Sequence, residues 1–185
     1  MLPGSVGLAE DEVGASQGVA SRRLLRLLVE GAPQRWDGET EALLMVAARR
    51  THLVETIWPA LERGDWVVCD RFADSTMAYQ GYGRGLSRAS LTALHELIAG
   101  DFKPDLTFVL DLPVEIGLSR AARRADNATR FERMGPEFHE RLRKGFLEIA
   151  VGEAGRCVVI DATADVAAVQ QAMRAALRAR LGVAI

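Results

Sequence analysis

Trp66-Val67-Val68-Cys69-Asp70-Arg71-Phe72-Ala73-Asp74-Ser75-Thr76-Met77-Ala78-Tyr79-Gln80-Gly81-Tyr82-Gly83-Arg84-Gly85-Leu86 is the stretch whose reading decides the fold. Its first four residues form a short apolar run of the kind that makes a buried strand. The run breaks at once into Asp70-Arg71. In open α/β sheets ligands sit just beyond the carboxyl ends of strands, so an acid and a base emerging there can face one ligand together. A carboxylate suits a metal ion or a hydroxyl, and a guanidinium suits a phosphate. Ser75, Thr76, Tyr79 and Gln80 follow, with groups that can read the edge of a small polar molecule. Gly81, Gly83 and Gly85 then offer a mobile, closely approachable backbone. On its own an Asp-Arg pair is a weak signal that reads first as a salt-bridged strand end; the whole string carries the functional reading.

The rest of the composition is compatible with one ordinary domain. The chain has 185 residues, 49% apolar and 26% charged, enough to bury a substantial core. A net charge of −2 argues against a broad nucleic-acid-binding face. Lys103 and Lys144 are the only lysines, and every other base is arginine. Cys69 and Cys157 both fall in predicted strands and read as buried, unpaired thiols of a reducing compartment. The chain shows no metal-ligand spacing, no apolar run of about 20 residues and no secretory leader, so a cytoplasmic protein is expected.

Around the central stretch the pattern alternates strands and helices. Residues 1–18, rich in Gly, Ser and acids, read as an irregular segment, and Val19 to Glu30 as a short helix with Leu24, Leu25, Leu27 and Leu28 on one face. A second helix is expected from Asp37, its cap, to about Leu61, with Leu43, Leu44, Ala47, Leu53, Val54, Ile57 and Leu61 lining the core. Pro59 should bend it or loosen its last turn. Met45, Arg49 and His52 share a face of that helix; taken alone, they read as a core-edge methionine, a surface arginine and a surface histidine. Ser87 caps a helix from Arg88 to Ile98 that Gly100 stops, and its apolar positions fit a core or a dimer surface. A strand from Leu106 to Leu110 ends in Asp111, and Pro113 opens a helix to about Arg124. After a turn-rich, basic segment, Arg120 to Arg133, come a long helix (Pro136 to Val151), a strand (Cys157 to Ile160) and a last helix (Val166 to Leu181).

The central stretch resembles, almost residue for residue, the Asp-Arg-aromatic, Ser, Ala-Tyr-Gln-Gly, Gly-Arg-Gly signature of bacterial thymidylate kinases. The likeness runs from about Pro3-Gly4 to the C-terminus and is poor before Leu24. It implies a single α/β domain, three-layered around a mainly parallel sheet, of the P-loop nucleoside monophosphate kinase type. The implied reaction moves a phosphoryl group from ATP to dTMP, with Mg²⁺, in a homodimer that needs no nucleic acid or membrane. Arg71 would bind the acceptor phosphate, and Asp70 would serve the magnesium and phosphate site. Ser75 and Thr76 would lie near the base. Tyr79 would pack under the sugar and crowd out a ribose 2′-hydroxyl, and Gln80 would support them. Arg49 matches the arginine that donates to thymine O4. Met45 departs from the aromatic that stacks on thymine, though a polarisable sulfur can also lie against a ring. Residues 120–133 would be the lid over the donor phosphates, led by Arg130 with Arg123 and Arg124 behind it.

Two further departures concern the N-terminal side. Pro3-Gly4-Ser5-Val6-Gly7 is similar to the family's Arg-Glu-Pro-Gly-Gly loop, but Leu2 precedes the proline and no arginine is near. The family also opens with a central strand and a Gly-rich Lys-Ser/Thr loop that wraps the donor phosphates. No lysine precedes Lys103, and Gly4, Gly7, Gly14 and Gly18 are too scattered to form it. The expected fold is therefore that kinase type without its first strands. A start upstream is the favoured explanation; a degenerate copy and a substitute built by residues 1–18 compete with it. Read literally from Met1, the chain is expected not to bind ATP productively. Two rival functions follow: a non-catalytic nucleotide-binding or interaction protein derived from such a kinase, and a kinase for another pyrimidine monophosphate.

Overall fold

The computed structural model describes residues 35–123 and 131–183. The irregular segment 1–18, the helix from Val19 to Glu30, and the lid residues Arg124 and Arg130 lie outside the described residues.

Helix α1, Gly38–His52, begins where the sequence places its cap: the Asp37 carboxylate accepts from the Thr40 amide at 2.7 Å. The core-facing positions match the expected ones only in part: Leu53 and Ile57, beyond α1, are buried as expected. Glu41, Ala42, Val46 and Ala48 are buried, whereas Leu43 is 56% exposed and Val54 and Leu61 are also exposed. The small residues decide this, because they let α1 approach its neighbours closely. The helix then loosens into a π turn, Leu53–Ile57, in which the Trp58 amide bonds back to Leu53 O. It resumes as α2, Trp58–Glu62, with Pro59 in the first turn. A proline supplies no N–H, and a π turn is one way a helix absorbs that loss.

The expected strand at Trp66 to Cys69 is not a strand. The segment has no regular secondary structure, and among the described residues no strand pairs with it. Its alternation survives. Val67 and Cys69 pack onto the cluster of Leu53, Ile57 and Phe72, while Trp66 and Val68 face outward, 69% and 61% exposed. A short helix, α3 (Ala73–Thr76), follows and runs directly into a π segment, Met77–Gly83. Gly83 ends that segment and Gly85 follows it, and the close approach expected at these glycines is found at Gly83. A Cβ on Gly83 would come within 2.6 Å of Phe138, so this glycine permits close packing; Gly85, at φ +80, serves the turn.

Helix α4, Arg88–Ala99, starts at Ser87, whose hydroxyl accepts from the Ser90 amide, and stops at Gly100 with φ 63. Strand β1 (Thr107–Asp111) pairs in parallel with β2 (Cys157–Asp161), in register from Thr107↔Cys157 to Asp111↔Asp161. Between them run α5, Val114–Arg123, and α6, Pro136–Gly152. The last helix, α7 (Val166–Leu181), is capped by Asp165. The architecture is thus mixed α/β with a parallel sheet, as expected. Its largest cluster forms where α6 meets the π segment: Ala78, Phe131, Phe138 and Leu142 are buried there, with Met45 and Tyr79 packed against them.

Candidate active site

Two arginines from different elements converge on the segment that follows Asp70. Arg49, in the last turn of α1, sends Nη2 to Phe72 O at 2.9 Å and to Thr76 Oγ1 at 2.8 Å. Its guanidinium also lies 5.3 Å from the Phe72 ring centre. Burial pulls its pKa down to about 10, opposed by the negative charge of nearby groups, Asp74 among them. It therefore stays charged near neutrality. Reading it as a surface arginine missed this burial, and only the resemblance identified its position.

Arg71 is exposed and reaches the other way. Its Nη1 donates to the Tyr79 hydroxyl at 2.8 Å, and its Cζ lies 5.1 Å over the same ring. Among the described residues it is the one non-glycine with positive φ, 67°. A bulky side chain in that region costs on the order of 1–3 kcal/mol, and such strain concentrates at functional sites. Asp70, next to it, is exposed. Tyr79 is held from the other side by edge contacts to Phe131 (5.1 Å), Phe138 (6.1 Å) and Phe146 (6.4 Å).

The structure therefore brings Arg49 onto Thr76, Arg71 onto Tyr79, and Met45 into the cluster that carries Tyr79. Ser75 is half-buried beside them, its amide bonded to Phe72 O at 3.1 Å. Gln80, expected as a supporting polar group, has no exposed surface and turns its amide to Glu41 Oε2 at 3.2 Å. Arg123 is exposed at the last residue of α5, on a different element from the acceptor groups. His52 is half-buried, and its pKa is lowered by burial and then by the Arg49 charge, so it is neutral near pH 7. Grooves of about 480 and 470 Å³ run along α6, and none of Met45, Arg49, Arg71, Thr76 or Tyr79 lines either.

Three supporting groups escaped the sequence reading. Asp74 forms a two-pronged pair with Arg156 (2.7 and 2.8 Å), which also reaches Thr107 Oγ1 at 3.1 Å; this ties α3 to the start of the sheet. Glu41 lies buried under the π segment, joined to Arg84. Phe131, in the basic segment read as a lid, is a core residue under Tyr79. An aromatic isolated among arginines was the available signal for the last.

The comparisons with known proteins point to one family. The family model described as thymidylate kinase matches residues 16–173. The thymidylate kinase of Caulobacter vibrioides is 52% identical over 171 residues, covering 92% of this chain and 81% of that protein. That of Dinoroseobacter shibae is 53% identical over 150 residues, covering 81% and 71%. The solved thymidylate kinase of Ehrlichia chaffeensis superposes with a TM-score of 0.67 at 29% identity, covering 88% of this chain and 78% of that one. With its acceptor signature, its parallel sheet and these relatives, the chain belongs to the thymidylate kinase family, a family of enzymes.

Proposed function

We propose that this chain is a dTMP kinase, moving the terminal phosphoryl group of ATP to dTMP to give dTDP and ADP. The observation that carries this reading is the pair of guanidinium groups around one short segment: Arg49 fixed on Phe72 and Thr76, Arg71 fixed on Tyr79. A nucleoside monophosphate needs both, one donor for the base and one cation for the phosphate. Arg49, with Met45, Ser75 and Thr76, takes the thymine; Tyr79 lies under the sugar; Arg71 takes the phosphate. An acceptor phosphate oxygen then attacks the terminal phosphorus of ATP as the bond to the bridging oxygen breaks. Such transfer needs little covalent help and much positioning and charge neutralisation.

Arg123, and with it Arg124 and Arg130 from outside the described residues, serve the donor phosphates in this reading. Mg²⁺ would supply further charge neutralisation between the phosphates. Among the described residues no group of three His, Cys, Asp or Glu could hold a metal alone. One exposed carboxylate, Asp70, beside a phosphate-binding arginine suits an ion held mostly by phosphate oxygens and water. We assign the enzyme to the cytoplasm as a homodimer. Among the described residues no helix is long and apolar enough to cross a membrane. Leu97, 80% exposed, and Leu43 lie on neighbouring helices that Arg50 joins through Ile98 O at 2.7 Å, a surface suited to a second copy.

The test is ADP release from ATP and Mg²⁺ with dTMP, dUMP or UMP as acceptor. In a chain that also carries the family's Gly-rich Lys-Ser/Thr loop the reading expects turnover that prefers dTMP; for residues 1–185 alone it expects dTMP binding without that turnover. Turnover independent of acceptor, or a preference for UMP, would contradict it.

A further inference from the structure

Beneath the acceptor residues lies a carboxylate that no step above uses. Glu41, in the first turn of α1, is fully buried. Its Oε1 accepts from Arg84 Nη2 at 2.5 Å, and its Oε2 accepts from Arg84 Nε at 3.4 Å and Gln80 Nε2 at 3.2 Å. The Arg84 side chain is itself only 17% exposed. Gln80 Oε1 is buried with no hydrogen-bond partner. The amide therefore satisfies Glu41 while leaving its own acceptor unmet, so the acid dictates how Gln80 sits.

The backbone around Glu41's partners explains what this arrangement holds. Arg84 closes the π segment, its amide bonding to Tyr79 O at 3.0 Å, and the Leu86 amide bonds to Gln80 O at 3.0 Å. Glu41 thus grips the side chains of a turn whose backbone carries Tyr79, the residue on which Arg71 rests. On its own helix Glu41 precedes Met45 by four residues and Arg49 by eight, so the three share a face. One end of that face holds the base donor, and the other holds the turn that presents the phosphate cation.

We propose that Glu41 is a positioning residue of the acceptor site, setting the Arg71–Tyr79 phosphate arm in register with the Arg49 base arm. The inference rests on the dTMP-site reading above. The base arm has its own anchors, Phe72 O and Thr76 Oγ1, and does not need Glu41. Loss of the acid should therefore harm phosphate recognition more than base recognition.

The experiment measures binding of dTMP and of thymidine to the full chain by calorimetry, for the wild type and Glu41→Gln. Fewer folded molecules would lower the number of sites for both ligands alike, so the ratio of the two affinities isolates positioning. The expected result is a dTMP affinity lower on the order of tenfold with thymidine affinity nearly unchanged. Should Glu41→Gln fail to fold, the triple variant Glu41→Met, Gln80→Met, Arg84→Met removes the buried polar trio together, a replacement that buried ion pairs often tolerate. Its ratio is expected to stay low. A folded variant of either kind with the wild-type ratio would overturn the inference. A wild-type chain that does not bind dTMP would instead overturn the acceptor-site reading, and this inference with it.

Discussion

Arg49 shows how a single side chain acquires a role from its surroundings. A guanidinium on a helix is ordinarily solvated. Here it is drawn under the chain, donates to Phe72 O and Thr76 Oγ1, and keeps its charge despite burial. Arg49→Met keeps most of the stem's packing and removes the donors. Since a hydrogen bond to a charged group contributes about 1.5–3 kcal/mol, dTMP affinity should fall by roughly 10- to 100-fold, as calorimetry would read. Unchanged affinity would remove Arg49 from the base site. Arg71, Thr76 and Tyr79 were legible as neighbours in the sequence because they stand in one string, and Arg49 was legible through the family resemblance alone. Glu41 was not, because an acid in a first helical turn already has a local explanation in the helix dipole. Its burial is a tertiary fact that no local pattern encodes.

Among the elements, caps and breaks were the readable features. Asp37, Ser87 and Gly100 act where the sequence put them, since each solves a backbone problem within a few residues. The face of α1 was misread because large apolar side chains were weighed over Ala42 and Ala48, which mark the close approach. The close approach expected at Gly83 is found. The glycine's missing side chain makes room for Phe138, so Gly83→Ala overpacks the junction of α6 and the π segment. It should cost about 1–3 kcal/mol in thermal or denaturant unfolding. A neutral effect would show that Phe138 can yield. Asp74→Ala leaves Arg156 without its main partner in a pair whose side chains are only 16% and 14% exposed. Breaking a buried pair from one side costs about 3–5 kcal/mol, and a loss under 1 kcal/mol would mean that Glu153 and Thr107 compensate.

At the scale of the whole molecule, the pattern of alternating strands and helices correctly indicated an α/β protein with a parallel sheet. Two of the three strands read from sequence pair as strands. The third, Trp66 to Cys69, keeps its alternation of exposure but has no ladder among the described residues. A strand is a relation between two segments, and sequence periodicity reports only one of them. In the proposed reading the acceptor half of a phosphoryl transfer is built around Asp70 and Arg71. Direct titration of dTMP into the full chain without ATP, for the wild type and Arg71→Ala, tests this most directly. The account predicts saturable binding to the wild type, weakened at least about 100-fold in a folded Arg71→Ala variant, as loss of a charge-assisted phosphate contact requires. Equal dTMP affinity for the two proteins would contradict it.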